Sequence, residues 1–179
     1  MTNQDNATAY SKIRTAAEQG DAVAQSDLSV MLSKGFGAPR NYKSAFTWCK
    51  LSAVQGYPRA QCNLGIKYYE GKGVKQDASK AFSLFKRACD GGALIACNNL
   101  GLLYSDGKGV SQDESKAFSL LQQACSDGDI GGCTSLGFMY HKGKGVDQDV
   151  SKSLSLYQQK IPPDIVPPSV SNKRNRCFR

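Results

Sequence analysis

The chain has 179 residues, 40% apolar and 21% charged, with a formal net charge of +8 and a pI near 9.1. That length and composition suit a soluble globular protein built as one domain or one continuous stack, and no apolar run approaches the roughly 18 residues of a membrane-spanning helix. Four of the positive charges, Lys173, Arg174, Arg176 and Arg179, crowd into the C-terminal tail; the rest of the chain is only mildly basic, so no nucleic-acid footprint is indicated.

The N-terminus carries no basic stretch, apolar run or small-residue cleavage pattern of a secretory leader. A cytoplasmic protein is therefore expected, unless a leader has been removed. The chain then repeats itself every 36 residues. Ala81–Lys116, AFSLFKRACDGGALIACNNLGLLYSDGKGVSQDESK, returns as AFSLLQQACSDGDIGGCTSLGFMYHKGKGVDQDVSK at Ala117–Lys152, with 19 of 36 positions identical. It matches Ala45–Lys80 at 17 positions, and Ala9–Ser44 is a weaker copy. A fixed period of this length marks a repeat array, with units 9–44, 45–80, 81–116 and 117–152.

Each unit reads as two helices, A and B. Asp5, Asn41, Asp77, Asp113 and Asp149 share one column, where a short side-chain oxygen can cap the first turn of helix A. Ala81, Phe85 and Ala88 recur at i, i+4 and i+7, the spacing of one buried helical face. Gly20, Gly56, Gly92 and Gly128 end helix A, and Pro58 suits the start of a helix B. Within helix B, Leu28, Leu64, Leu100 and Leu136 are followed by Ser29, Gly65, Gly101 and Gly137. A helical glycine costs about 1 kcal/mol against alanine, so this column points to a neighbouring helix crossing closely. Paired glycines, such as Gly71 and Gly73, turn the chain into the next unit. Two helices cannot bury their apolar faces alone, so the units must stack. A fifth helix A, 149–160, covers the last helix B as a cap, and prolines 162, 163, 167 and 168 leave 161–179 as a Pro-rich then basic tail.

The small-residue pattern through Ala96–Gly101 and the motif G-K-G-V-x-Q-D-x-S-K-A-F resemble the Sel1-like repeat, a relative of the tetratricopeptide repeat, over about residues 5–160. The first unit departs from it, with Ala38-Pro39-Arg40-Asn41 where later units read Val-x-Gln-Asp. The resemblance implies an all-α, right-handed α/α solenoid of four repeats plus a C-terminal capping helix, with the helix A row lining a concave face. Members are mostly adaptors that gather other proteins; catalysis is rare among them.

Cys89 with Cys97, and Cys125 with Cys133, occupy two columns that hold Ala17 with Gln25 and Ala53 with Gln61 in the first units. Both positions are cysteine or neither is, as a bonded pair requires, and the antiparallel helices can bring such Cα atoms within reach of a disulfide. This C-x7-C unit looks like the Helicobacter cysteine-rich proteins. Oxidised pairs imply a periplasmic or secreted protein; two reduced thiols packed as small apolar groups are the alternative. Cys49 falls in a core column, Cys62 in a polar one and Cys177 in the tail, so none of these joins the scheme. With one histidine, His141, no metal site or cofactor is expected.

Two functional readings follow. Ser11, Thr47, Ser83 and Ser119 form one column of helix A, and Arg14, Lys50, Lys86 and Gln122 another three residues on. Residues i and i+3 share a helical face, so stacking produces a polar ladder, basic at its N-terminal end. The reading preferred is a monomeric, non-enzymatic scaffold that binds an acidic or extended protein or peptide segment there, with no nucleic acid or membrane partner. The adjacent aromatic column, Tyr10, Phe46, Phe82 and Phe118, is read as core. The alternative is a secreted β-lactam-binding or weakly β-lactam-hydrolysing protein, since S-x-x-K occurs at Ser83–Lys86 and Ser105–Lys108. The S-D-N and K-T-G elements that should accompany it are missing.

Overall fold

The structure, a computed structural model, describes residues 3–158, with side chains from Asp5 onward. Among these residues there are nine helices and no strand: α1 (Asn3–Glu18), α2 (Ala22–Lys34), α3 (Tyr42–Val54), α4 (Pro58–Glu70), α5 (Ala78–Asp90), α6 (Leu94–Asp106), α7 (Glu114–Ser126), α8 (Ile130–Lys142) and α9 (Val150–Gln158). Odd-numbered helices are the A helices and even-numbered ones the B helices, so the fold is the all-α repeat array expected. The proline-rich tail and Cys177 lie outside the described residues.

Capping fixes the helix starts. Asn41, Asp77, Asp113 and Asp149 each accept the backbone N–H three residues on, at 2.8–2.9 Å. Asp5 does not cap: α1 already starts at Asn3, which places Asp5 inside its first turn. Gly35, Gly71, Gly107 and Gly143 close the B helices in left-handed conformations, each N–H reaching back to a last-turn carbonyl.

Two compact units divide the chain, one up to Gly92 and one from Ala93 on. In the first, α1 packs on α2, α2 on α3, α3 on α4 and α4 on α5. One core cluster gathers Ala17, Leu28, Leu32 and Ala45 with Tyr10, Ile13 and Trp48 around them. A second gathers Cys49, Ala53, Ala60 and Leu64, flanked by Phe46, Tyr68 and Leu84. In the second unit, α6 packs on α7, α7 on α8 and α8 on α9, over a core of Ala117, Leu121, Leu136 and Met139 with Phe118, Tyr140 and Leu156 against it. Phe46 and Phe118 therefore fill core space, meeting Tyr68 and Tyr140 edge-on at 5.5 Å between centroids.

The glycine column marks the close crossing of helix B by the following helix A. A Cβ added at Gly65 would lie 2.7 Å from the Phe85 ring, at Gly101 2.9 Å from Leu121, and at Gly137 2.8 Å from Tyr157. The first repeat solves the same crossing with the sizes exchanged. Ser29 stands in the glycine column and Cys49 in the Phe85 column, and the Ser29 hydroxyl donates to the Ala45 carbonyl at 2.7 Å.

One buried position breaks the apolar pattern. Lys67 shares a column with Met31, Leu103 and Met139, yet it is 6% exposed. Its amine donates to Ser33 Oγ at 2.7 Å. Desolvation lowers its pKa, with the neighbouring Cys49 acting in the opposite sense. Burial likewise pushes the Cys49 thiol up to about 11, against the pull of the Lys67 charge and a hydrogen bond with Ser29.

Candidate functional site

All eight residues of the expected ladder lie on exposed helix A surface: Ser11, Arg14, Thr47, Lys50, Ser83 and Lys86 in the first unit, and Ser119 and Gln122 in the second. The hydroxyls are partly engaged, because Thr47, Ser83 and Ser119 each donate to the carbonyl four residues earlier, at 3.1–3.2 Å. Two basic members also pair within their own helices, Arg14 Nε with Glu18 at 2.8 Å and Lys86 Nζ with Asp90 at 2.9 Å. The Glu18 hydrogen bond and charge raise the Arg14 pKa. Lys50 makes no ion pair among the described residues, so the basic character of the ladder is concentrated there.

Beside Arg14 the surface opens into a cleft of about 430 Å³. Leu28 and Leu32 floor it, Tyr10 and Trp48 supply aromatic walls, and Arg14 and Arg40 line it together with Pro39, Asn41 and Ser44. Among the described residues no acidic side chain lines it.

The later repeats show why the cleft opens here. In the column of Leu32 they carry Tyr68, Tyr104 and Tyr140, and in the column of Ser44 they carry Lys80, Lys116 and Lys152. Each lysine lies 5.3–5.6 Å over the corresponding tyrosine ring. Each also pairs with the capping aspartate at 3.0–3.5 Å. The hydrogen bond that each aspartate accepts from the lysine's backbone N–H leads the causes that lower the Asp77, Asp113 and Asp149 pKa values. A glutamine adds a lock: Gln76, Gln112 and Gln148 donate to the carbonyls of Tyr69, Ser105 and His141 at 2.7–3.0 Å. In the first repeat, leucine, serine, asparagine and Arg40 replace tyrosine, lysine, aspartate and glutamine. The clasp is gone, and Arg40 extends over the Tyr42 ring at 5.7 Å with no ion pair among the described residues.

The helix A columns alone do not point to Arg40 or Trp48, while Tyr10, expected in the core, packs against the first core cluster and also lines the cleft. The signal was the column of Leu32, where three of four repeats hold a tyrosine.

The paired columns hold staples of two kinds. Cys125 and Cys133 form a disulfide with Cα atoms 4.4 Å apart. In the same columns Gln25 Nε2 donates to the Ala17 carbonyl at 3.1 Å, and Gln61 Nε2 to the Ala53 carbonyl at 3.4 Å. Cys89 and Cys97 are disulfide cysteines as well. Cys62, in the polar column, is buried together with Ser26 and Asn98, each no more than 2% exposed, while Thr134 of the same column is exposed. Cys49 is the free cysteine among the described residues, and it is buried.

Of the S-x-x-K pairs, Ser83 donates to its own helix and Lys86 reaches Asp90, while Ser105 is buried and Lys108 reaches Asp106 at 3.0 Å. Among the described residues no group of three or more His, Cys, Asp or Glu could hold a metal ion, and no helix is long and apolar enough to cross a membrane.

Several solved structures are similar. A protective antigen of uropathogenic Escherichia coli, described as displaying an SLR fold, is 33% identical with a TM-score of 0.75, over 86% of this chain and 33% of that one. A Sel1 repeat protein from Oxalobacter formigenes is 29% identical with a TM-score of 0.81, over 86% of this chain and 61% of that one. Cysteine-rich protein B of Helicobacter pylori is 27% identical over 66% of this chain and 88% of its own, with a TM-score of 0.49. The chain thus spans about a third and three fifths of the first two. No curated protein matches it. The Sel1 repeat model matches residues 22–57, 58–92, 94–129 and 131–159, pairing each helix B with the helix A that follows it, and by those four matches the chain belongs to the Sel1 repeat family.

Proposed function

We propose that this chain is a non-enzymatic scaffold that holds an acidic or extended protein segment along its exposed helix A face. The observation that carries this reading is the unpaired Lys50, set between Arg14 and Lys86 in an exposed basic column. A polar ladder of this kind suits carboxylates on an extended chain, whose side chains alternate along a row of stacked helices. The disulfide cysteines fit an oxidising compartment, the periplasm or the exterior, as the place where the scaffold works.

The test is fluorescence anisotropy of the full chain with a labelled glutamate-rich peptide at low and moderate salt. Lys50→Glu combined with Lys86→Glu should abolish binding while leaving the circular dichroism of the fold intact. Equal affinity of the wild type and the double variant would overturn the assignment of this face.

A further inference from the structure

The cleft of the first repeat has an occupant that its chemistry defines. We infer that it is an anchor pocket for one aromatic or large aliphatic side chain of an acidic peptide, with carboxylates on either side of that residue held by Arg14 and Arg40. The inference rests on the scaffold reading above and names the feature of the partner that the scaffold selects.

Three observations carry it. The floor and walls are apolar, Leu28 and Leu32 below with Tyr10 and Trp48 at the sides, so an apolar side chain gains by leaving water there. Among the described residues the charged groups lining the cleft are Arg14, which also pairs with Glu18 at 2.8 Å, and Arg40, which makes no ion pair, so Arg40 leads the selection of a negatively charged neighbourhood around the buried group. Finally, the repeat array supplies its own comparison. Where Tyr68, Tyr104 and Tyr140 occupy the column of Leu32, a lysine from the next helix A covers the ring and pairs with an aspartate. Tyrosine, lysine and aspartate are all replaced in the first repeat, by Leu32, Ser44 and Asn41, and the glutamine lock gives way to Arg40. Losing the ring removes volume, and losing the aspartate removes the charge that would repel a carboxylate.

Trp48 is the single tryptophan of the chain and lines the cleft, so its fluorescence reports occupancy directly. Two peptides serve as probes, one with a phenylalanine between pairs of glutamates and one with alanine in its place. The phenylalanine peptide should shift the Trp48 emission of the wild type and bind about tenfold or more tightly than the alanine peptide. Leu32→Tyr restores the residue that the other repeats tolerate, so the fold should hold. In that variant the preference for phenylalanine should disappear, with the alanine peptide binding as before. Arg14→Gln with Arg40→Gln should weaken both peptides and steepen neither preference.

If wild type binds the two peptides equally and Leu32→Tyr changes nothing, the pocket is overturned and the scaffold reading stands. Tight binding of phenylalanine flanked by lysines would overturn the charge selection. If no acidic peptide binds at all, the scaffold reading and the pocket fall together.

Discussion

Gly65 of α4 faces the ring of Phe85 on α5, with room for a hydrogen but not for a methyl group. A Cβ there would approach two ring atoms to 2.7 and 2.8 Å, and both side chains belong to a packed crossing that cannot spread. Gly65→Ala should therefore destabilise the fold by about 1–3 kcal/mol despite alanine's better helix propensity. Phe85→Ala alone leaves a cavity and should cost about 3–5 kcal/mol. In denaturant unfolding, the double variant should cost clearly less than the sum of the two, because the new methyl group occupies space the ring has left. Strict additivity would show that the crossing is not the reason for the glycine.

The two kinds of staple should differ in strength. Replacing Cys125 and Cys133 with alanine releases a loop of eight residues' separation and should cost about 2–3 kcal/mol. Gln25→Ala removes a buried hydrogen bond to the Ala17 carbonyl and should cost about 0.5–1.5 kcal/mol, since that acceptor keeps the Gly20 N–H at 3.1 Å. Thermal unfolding of the oxidised protein measures both. A dithiothreitol titration should lower the midpoint of the wild type and leave the Cys125/Cys133 variant shifted by less.

Lys67 makes stability depend on alkaline pH in a definite sense. Its folded pKa lies below the 10.5 of the unfolded chain, so between those values the unfolded state binds more protons and stability rises with pH. Below the folded pKa the full cost of burying the charge remains. Lys67→Met copies the residue at Met31 and Met139, and it should stabilise the protein by about 1–3 kcal/mol near pH 7 while abolishing that rise. Cys49 acts oppositely. Its folded pKa near 11 exceeds the unfolded 9.0, so its contribution is present below pH 9 and fades as pH climbs to 11. Stability profiles of wild type, Lys67→Met and Cys49→Ala separate the two contributions.

The burial of Cys49 also governs its chemistry. A thiol that is fully buried, with a pKa near 11, is almost entirely protonated at neutral pH and out of reach of reagents. Iodoacetamide at pH 7.5 should leave Cys49 unlabelled in the native protein and modify it after unfolding without reductant. Peptide mapping should recover Cys125 and Cys133 as one linked fragment. Alkylated Cys125 or Cys133 from the unreduced native protein would contradict the structure.

Much of this was legible in the chain alone. The 36-residue period gave the helices, their caps from Asn41 to Asp149, and the close crossings at Gly65, Gly101 and Gly137, because each depends on one residue and its near neighbours. The exposure of Arg14, Lys50 and Lys86 followed from helical geometry. Their pairing did not: Glu18 and Asp90 pair with two of the three from one turn further along the same helix, outside the repeat columns that define the ladder. The cleft stayed hidden for a different reason. It is made by what Leu32 lacks relative to Tyr68, and its walls come from α1 and α3, whose approach depends on tertiary packing.

The mixed staples give the array a direction of opening that depends on its surroundings. In an oxidising medium the α7–α8 hairpin is held covalently and should exchange its amide hydrogens last, after α1–α2 and α3–α4. In a reducing medium Cys133 retains only a sulfur contact with the Cys125 carbonyl at 3.6 Å, weaker than the amide that Gln25 offers in the same place. Hydrogen exchange with and without reductant should then show that hairpin moving from after α1–α2 and α3–α4 to before them, so that the redox state of the solution sets the order in which these three open.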